Sequence, residues 1–196
     1  MEPDYCFDVK LFADQVVEFI MSLTRIGSSK ETNDLVEEYG IEANKDIINF
    51  VQKVRNSLGD ERRNVVENYF SGVYLGVGLG LLADGQSIPD FISQISELSN
   101  TELAYYMLAP LAEKKITTEE LGKLEEAFEW INNNFAFSEK WKWLAMKILR
   151  QTEEVKEEII DLLVYYYNNY FKQIEDSTDK FLKEYIKNNQ KQLIQS

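Results

Sequence analysis

Few residues in this sequence have the chemistry of a reaction centre. Cys6 is the sole cysteine and histidine is absent, so a thiolate would have no imidazole to take its proton. Cys6 reads as a small buried hydrophobe. Adjacent acids at Glu37-Glu38, Glu119-Glu120, Glu125-Glu126, Glu153-Glu154 and Glu157-Glu158 are the other material for acid–base or metal chemistry. Neighbours on a helix point about 100° apart, so the carboxylates of a doublet diverge. Carboxylate di-iron bundles need Glu-x-x-His pairs, which a chain without histidine cannot supply. The doublets therefore read as solvated helix faces. EF-hand spacing, a P-loop and G-x-S-x-G are missing. No catalytic residue, metal ligand or cofactor is expected, and the chain does not read as an enzyme.

Two further patterns need weighing. Gly78-Leu79-Gly80-Leu81-Leu82-Ala83 has the form of a dinucleotide-binding G-x-G-x-x-A, but such a loop follows a strand and opens a helix. Here the surroundings read as helix, and Asp84-Gly85 breaks the run at once. The uncharged stretch 69–83, with Gly72, Gly76, Gly78 and Gly80, is shorter than the roughly 20 residues a bilayer requires. It reads as a buried helix whose glycine face admits a neighbour closely or lines a cavity.

Aromatic residues gather at Tyr105-Tyr106, Trp130, Trp141, Trp143, Tyr165-Tyr166-Tyr167 and Tyr170-Phe171. Ile159, Leu163, Tyr166 and Tyr170 share one helical face, and Ile160, Val164, Tyr167 and Phe171 the adjoining one. That surface is too wide for one partner helix. Most of it reads as core; the alternatives are an aromatic pocket for an apolar or amphipathic small molecule, or a homodimer face. Tyr74, Tyr106, Trp130, Trp143 and Tyr166 are the ligand-pocket candidates, chosen for aromatic character and position.

The chain has 196 residues, 44% hydrophobic and 28% charged, a composition that folds. Its 21 basic and 34 acidic side chains give a net charge of -13, which repels nucleic acid and anionic lipid. Residues 1–137 hold 11 of the basic and 24 of the acidic groups, whereas 138–196 hold ten of each. One domain over 1–196 is expected, with an acidic body (1–137) and a neutral long-helix segment (138–196). Met1 to Asp8 carries three acids and no basic leader, so a cytoplasmic protein with no membrane partner is expected.

Helical periodicity dominates, predicting an all-α, multi-helix orthogonal or bundle-like domain. Alternating Tyr5, Phe7 and Val9 predict a short N-terminal strand. Helices are then expected from Leu11 to Gly27, over 33–39, through Ile47, Ile48, Val51 and Val54 to Gly59, and from Asp60 to Phe70. Ser87 with Pro89 and Asp90, Ser99 with Glu102, and Thr117 with Glu120 mark later starts. The last of these helices is expected over 118–131. Ser138 caps the helix of Trp141, Thr152 opens the longest one, and a bend falls at 175–179.

The run Trp141-Lys142-Trp143-Leu144, Ile148-Leu149-Arg150, Glu153 through Leu163, and Tyr166-Tyr167-Asn168-Asn169-Tyr170-Phe171 resembles the helical region that precedes the winged helix in long ArsR-like bacterial transcriptional regulators. Tyr5, Phe7 and Val9, Phe91-Ile92 and Leu98 through Leu103 fit the same pattern, and the likeness is best over 141–186. It implies a regulatory region for dimerisation or ligand sensing, with a homodimer, a small apolar effector, and DNA bound only through a winged helix-turn-helix expected downstream of these residues. Glu119, Glu120, Glu125, Glu126 and Glu129 are the wrong groups for a recognition helix in 118–131. No positions match the Cys and His metal sites of smaller ArsR repressors. The alternative is a free-standing acidic helical interaction module, an adaptor or inhibitor.

Overall fold

The computed structural model describes residues 14–28, 45–71, 75–109, 116–134, 139–180 and 183–184. Throughout them the chain is an all-α, multi-helix fold, and no strand occurs among the described residues. The strand expected at Tyr5–Val9 and the helix expected over 33–39 lie outside them.

Helix α1 (Gln15–Gly27) starts where Asp14, in extended conformation, turns its carboxylate onto the Val16 and Val17 N–H groups at 2.7 and 3.3 Å. This cap, rather than Leu11, sets the described start. Val16, Phe19, Ile20, Leu23 and Ile26 recur at helical steps and are all buried. At its end Gly27 is needed for proximity: a Cβ there would lie 2.8 Å from the Val66 carbonyl oxygen. Helices α2 (Lys45–Ser57) and α3 (Gly59–Tyr69) are separated only by Leu58, with Gly59 at φ +72°, a left-handed position that suits glycine.

The glycine-rich run is a 3-10 helix, Leu75–Leu82, and not the α-helix the sequence suggests. Glycine costs about 1 kcal/mol against alanine inside an α-helix, and Gly76, Gly78 and Gly80 stand at alternate positions. The expected close approach is present in a different form. The Phe70 ring fills the space a Gly76 Cβ would need, and the segment packs against α1 and α5 (Asn100–Leu108).

Helix α4 (Ile88–Glu97) is capped by Ser87 with Pro89 in its first turn. Capping boxes open α5, through Ser99 and Glu102, and α6 (Thr118–Leu121), through Thr117 and Glu120. Hydrogen bonds from the Ser99 hydroxyl and N–H hold the Glu102 carboxyl below its ordinary pKa. The single helix expected over 118–131 is divided: Gly122 and Lys123 interrupt it before α7 (Leu124–Asn134).

Only Gln151 separates α8 (Glu139–Arg150) from α9 (Thr152–Asn169). Thr152 opens α9 as expected, and its hydroxyl donates back to the Ile148 carbonyl at 2.5 Å. The chain bends at Tyr170 into a 3-10 turn (Phe171–Gln173). This is earlier than 175–179, because 175–180 is itself helical.

Helix α9 lies against α3, α4, α5 and α8, which is how one wide apolar surface is covered. Val155, Ile159, Leu162, Leu163 and Tyr166 are fully buried, while Val164 remains 40% exposed. Phe19 of α1 stacks on Tyr166 with ring centroids 5.5 Å apart and meets Phe171 edge-on at 5.1 Å. The buried cluster runs from Val16 to Phe171 across the charge boundary near residue 138. Two cations reach across to helix ends, where backbone carbonyls lack partners. Arg55 donates to the Ile26 carbonyl at 2.8 Å and pairs with Glu67; Lys156 donates to the Leu98 carbonyl at 3.0 Å.

Candidate functional site

The four aromatic candidates that are described stand in different surroundings. Tyr74 lies outside the described residues. Tyr106 is half-buried on α5, edge-on to Tyr105 at 5.8 Å, and Trp130 is buried on α7. Tyr166 is enclosed in the core, where burial pushes its hydroxyl pKa up to about 12 and the hydroxyl meets Ser22 at 2.9 Å. Trp143 alone of the described four is exposed, at 59%.

Trp143 borders an open groove of about 420 Å³ with Met146, Lys147, Arg150 and Gln151. Helical spacing explains it. Leu144, Ala145 and Ile148 turn one row of α8 into the core, which leaves Trp143, Met146 and Arg150 on another. The Arg150 guanidinium is steadied over the Phe128 ring of α7, 4.7 Å from its centroid. An exposed indole beside a thioether and a guanidinium is the chemistry of a recognition surface.

A second, polar cleft of about 540 Å³ lies between α3 and α9, with Glu61, Arg62, Asn64 and Asn68 on one wall and Glu157, Glu158 and Asp161 on the other. Its cations are already held. Arg62 pairs with both oxygens of Asp161, at 2.7 and 3.0 Å, and lies 4.2 Å over the Tyr165 ring. Lys147 reaches from α8 to both oxygens of Glu158 at 2.9 and 3.0 Å, with Glu154 at 3.6 Å. Tyr69 is buried beside this cluster. Its pKa is raised by burial first, then by the Glu158 and Glu154 carboxylates. These contacts latch α3 and α8 onto α9.

No family model, curated protein or solved structure matches the chain. Among the described residues no group of three or more Asp, Glu, Cys or His is placed to hold a metal ion. Nor is any described helix long and apolar enough to cross a membrane.

Two features were missed in the sequence. Glu153, Glu154 and Glu158 are ion-pair partners of Lys156 and Lys147 and do more than solvate a face. The Glu153–Lys156 spacing was a local signal; the Lys147 contacts, made between helices, had none. The exposure of Trp143 was legible in principle, because Trp141, Leu144, Ala145 and Ile148 already supply a complete inward row.

Proposed function

We propose that the chain is the regulatory region of an ArsR-like transcriptional regulator, serving dimerisation or ligand sensing, without catalytic chemistry of its own. DNA is contacted only through a winged helix outside these 196 residues. The observation that carries this reading is the exposed Trp143 groove on α8, within the segment whose residue pattern bears the family likeness. Of the other aromatics described in that segment, Tyr166, Tyr167 and Phe171 are buried and Trp141, Tyr165 and Tyr170 half-buried, so among the described residues Trp143 is the aromatic offered outward for a second chain or an apolar effector. Because α8 joins α9 through a single residue, a partner that prefers one placement of α8 changes the equilibrium among packings of the helix at the centre of the core. Winged helices attached to two such regions are thereby spaced differently, and operator affinity changes by linkage.

A gel shift tests the division of labour. The 196 residues alone should give no specific shift at physiological salt, while the full gene product should. Specific binding by the 196 residues overturns this assignment. The alternative, a free-standing acidic interaction module, draws on the net charge of -13 and on exposed acids such as Glu119. Reading the gene beyond the Ser196 codon separates the two: an open frame encoding a basic winged helix supports the regulator, and a stop codon supports the module.

A further inference from the structure

The exposed row of α8 carries opposite charges at its two ends. Glu139, Trp143, Met146 and Arg150 follow one another at steps of four, three and four, so they lie along one side of the helix. Glu139, Trp143 and Arg150 are exposed and Met146 is half-buried. Neither Glu139 nor Arg150 has an ion-pair partner among the described residues; Arg150 rests on the Phe128 ring instead. Laid antiparallel against itself, α8 maps position 139 onto 150 and position 143 onto 146. The row is therefore self-complementary about a two-fold axis passing between Leu144 and Ala145, the condition for an isologous interface.

We propose that the chain forms a symmetric dimer through an antiparallel α8–α8 contact. Trp143 packs on Met146 of the second copy, and Glu139 pairs with Arg150 of the second copy, each contact occurring twice. This rests on the dimerisation reading above and names its surface. Thioether sulfur against an indole edge is a favourable contact, and Trp and Arg are the residues that dominate interface energetics.

Charge explains why this face is suited to the role. Two chains of net charge -13 repel, so a contact between them is best made where the acidic excess is absent. Helix α8 meets that condition, with Lys140, Lys142, Lys147 and Arg150 against Glu139 alone. The antiparallel register also sets Lys142 opposite Lys147 of the second copy. That juxtaposition is not repulsive, because Glu158 and Glu154 surround the Lys147 ammonium and leave the cluster with one negative charge.

Light scattering on the purified 196-residue chain over rising concentration is the test. The expected mass is twice 22.9 kDa. Trp143→Ala, Glu139→Arg and Arg150→Glu should each halve it while circular dichroism still reports a helical fold, and the double variant Glu139→Arg/Arg150→Glu should restore the dimer. A wild-type chain that stays at 22.9 kDa throughout overturns dimerisation and this surface together. A dimer untouched by the three single substitutions overturns the surface alone and leaves dimerisation standing. Loss in the single charge reversals without recovery in the double variant overturns the antiparallel pairing.

Discussion

The Tyr166 hydroxyl meets the Ser22 hydroxyl at 2.9 Å, tying α9 to α1 inside the core. Ser22 also donates to the Phe19 carbonyl at 2.6 Å, so it keeps a partner if the phenol is removed. Tyr166→Phe should therefore cost only about 1 kcal/mol, one net hydrogen bond. Tyr166→Ala should cost about 3–5 kcal/mol, because the ring stacked on Phe19 is lost and a cavity remains. Denaturant unfolding of the two variants against wild type measures both.

The same hydroxyl predicts an alkaline effect. Its folded pKa is raised from 10.0 to about 12, chiefly by burial, so the folded state holds the proton more tightly than the unfolded chain. The stabilisation is complete below pH 10 and is lost as pH rises through about 12. Wild type should lose more stability than Tyr166→Phe between pH 9 and 12. Equal slopes would show that the Tyr166 proton is not linked to folding.

Gly27 and Gly80 should respond oppositely to alanine. At Gly27 a Cβ would meet backbone, the Val66 carbonyl oxygen at 2.8 Å and the Ser71 amide nitrogen at 3.0 Å. Neither can turn aside, so α1 must move off α3. Gly27→Ala should cost about 1–3 kcal/mol, as overpacking does. Nothing lies within 4 Å of a Cβ at Gly80; Gly80→Ala should be neutral or stabilise by up to about 1 kcal/mol by restricting the unfolded chain. Thermal and denaturant melts of the pair check the contrast.

Legibility followed the range of the interaction. The Ser99–Glu102 and Thr117–Glu120 caps are local and were readable from spacing alone. The 3-10 geometry of Leu75–Leu82 and the Phe70 ring beside Gly76 are features that apolar periodicity does not contain. Gly122 was visible, but whether a lone glycine divides a helix depends on what the two halves pack against. The bend at Tyr170 rather than 175–179 follows the burial of Phe171 under Phe19, which is again nonlocal. Of the site, the residue types were legible, and the outward turn of Trp143 became so only once the inward row of α8 was assigned.

Two substitutions separate the roles of Lys156. Its ammonium, almost fully buried, donates to the Leu98 carbonyl at the end of α4 and pairs with Glu153 at 3.2 Å. The carbonyl contact closes a helix end in the interior, whereas the Glu153 side chain is 63% exposed and its pairing is screened by water. Lys156→Met retains the aliphatic stem and leaves the Leu98 oxygen without its donor, so it should cost about 1–3 kcal/mol. Glu153→Gln removes only the exposed ion pair and should cost less than about 1 kcal/mol. Denaturant unfolding ranks them; a larger loss for Glu153→Gln would mean that the ion pair, and not the capped carbonyl, holds α9 to the end of α4.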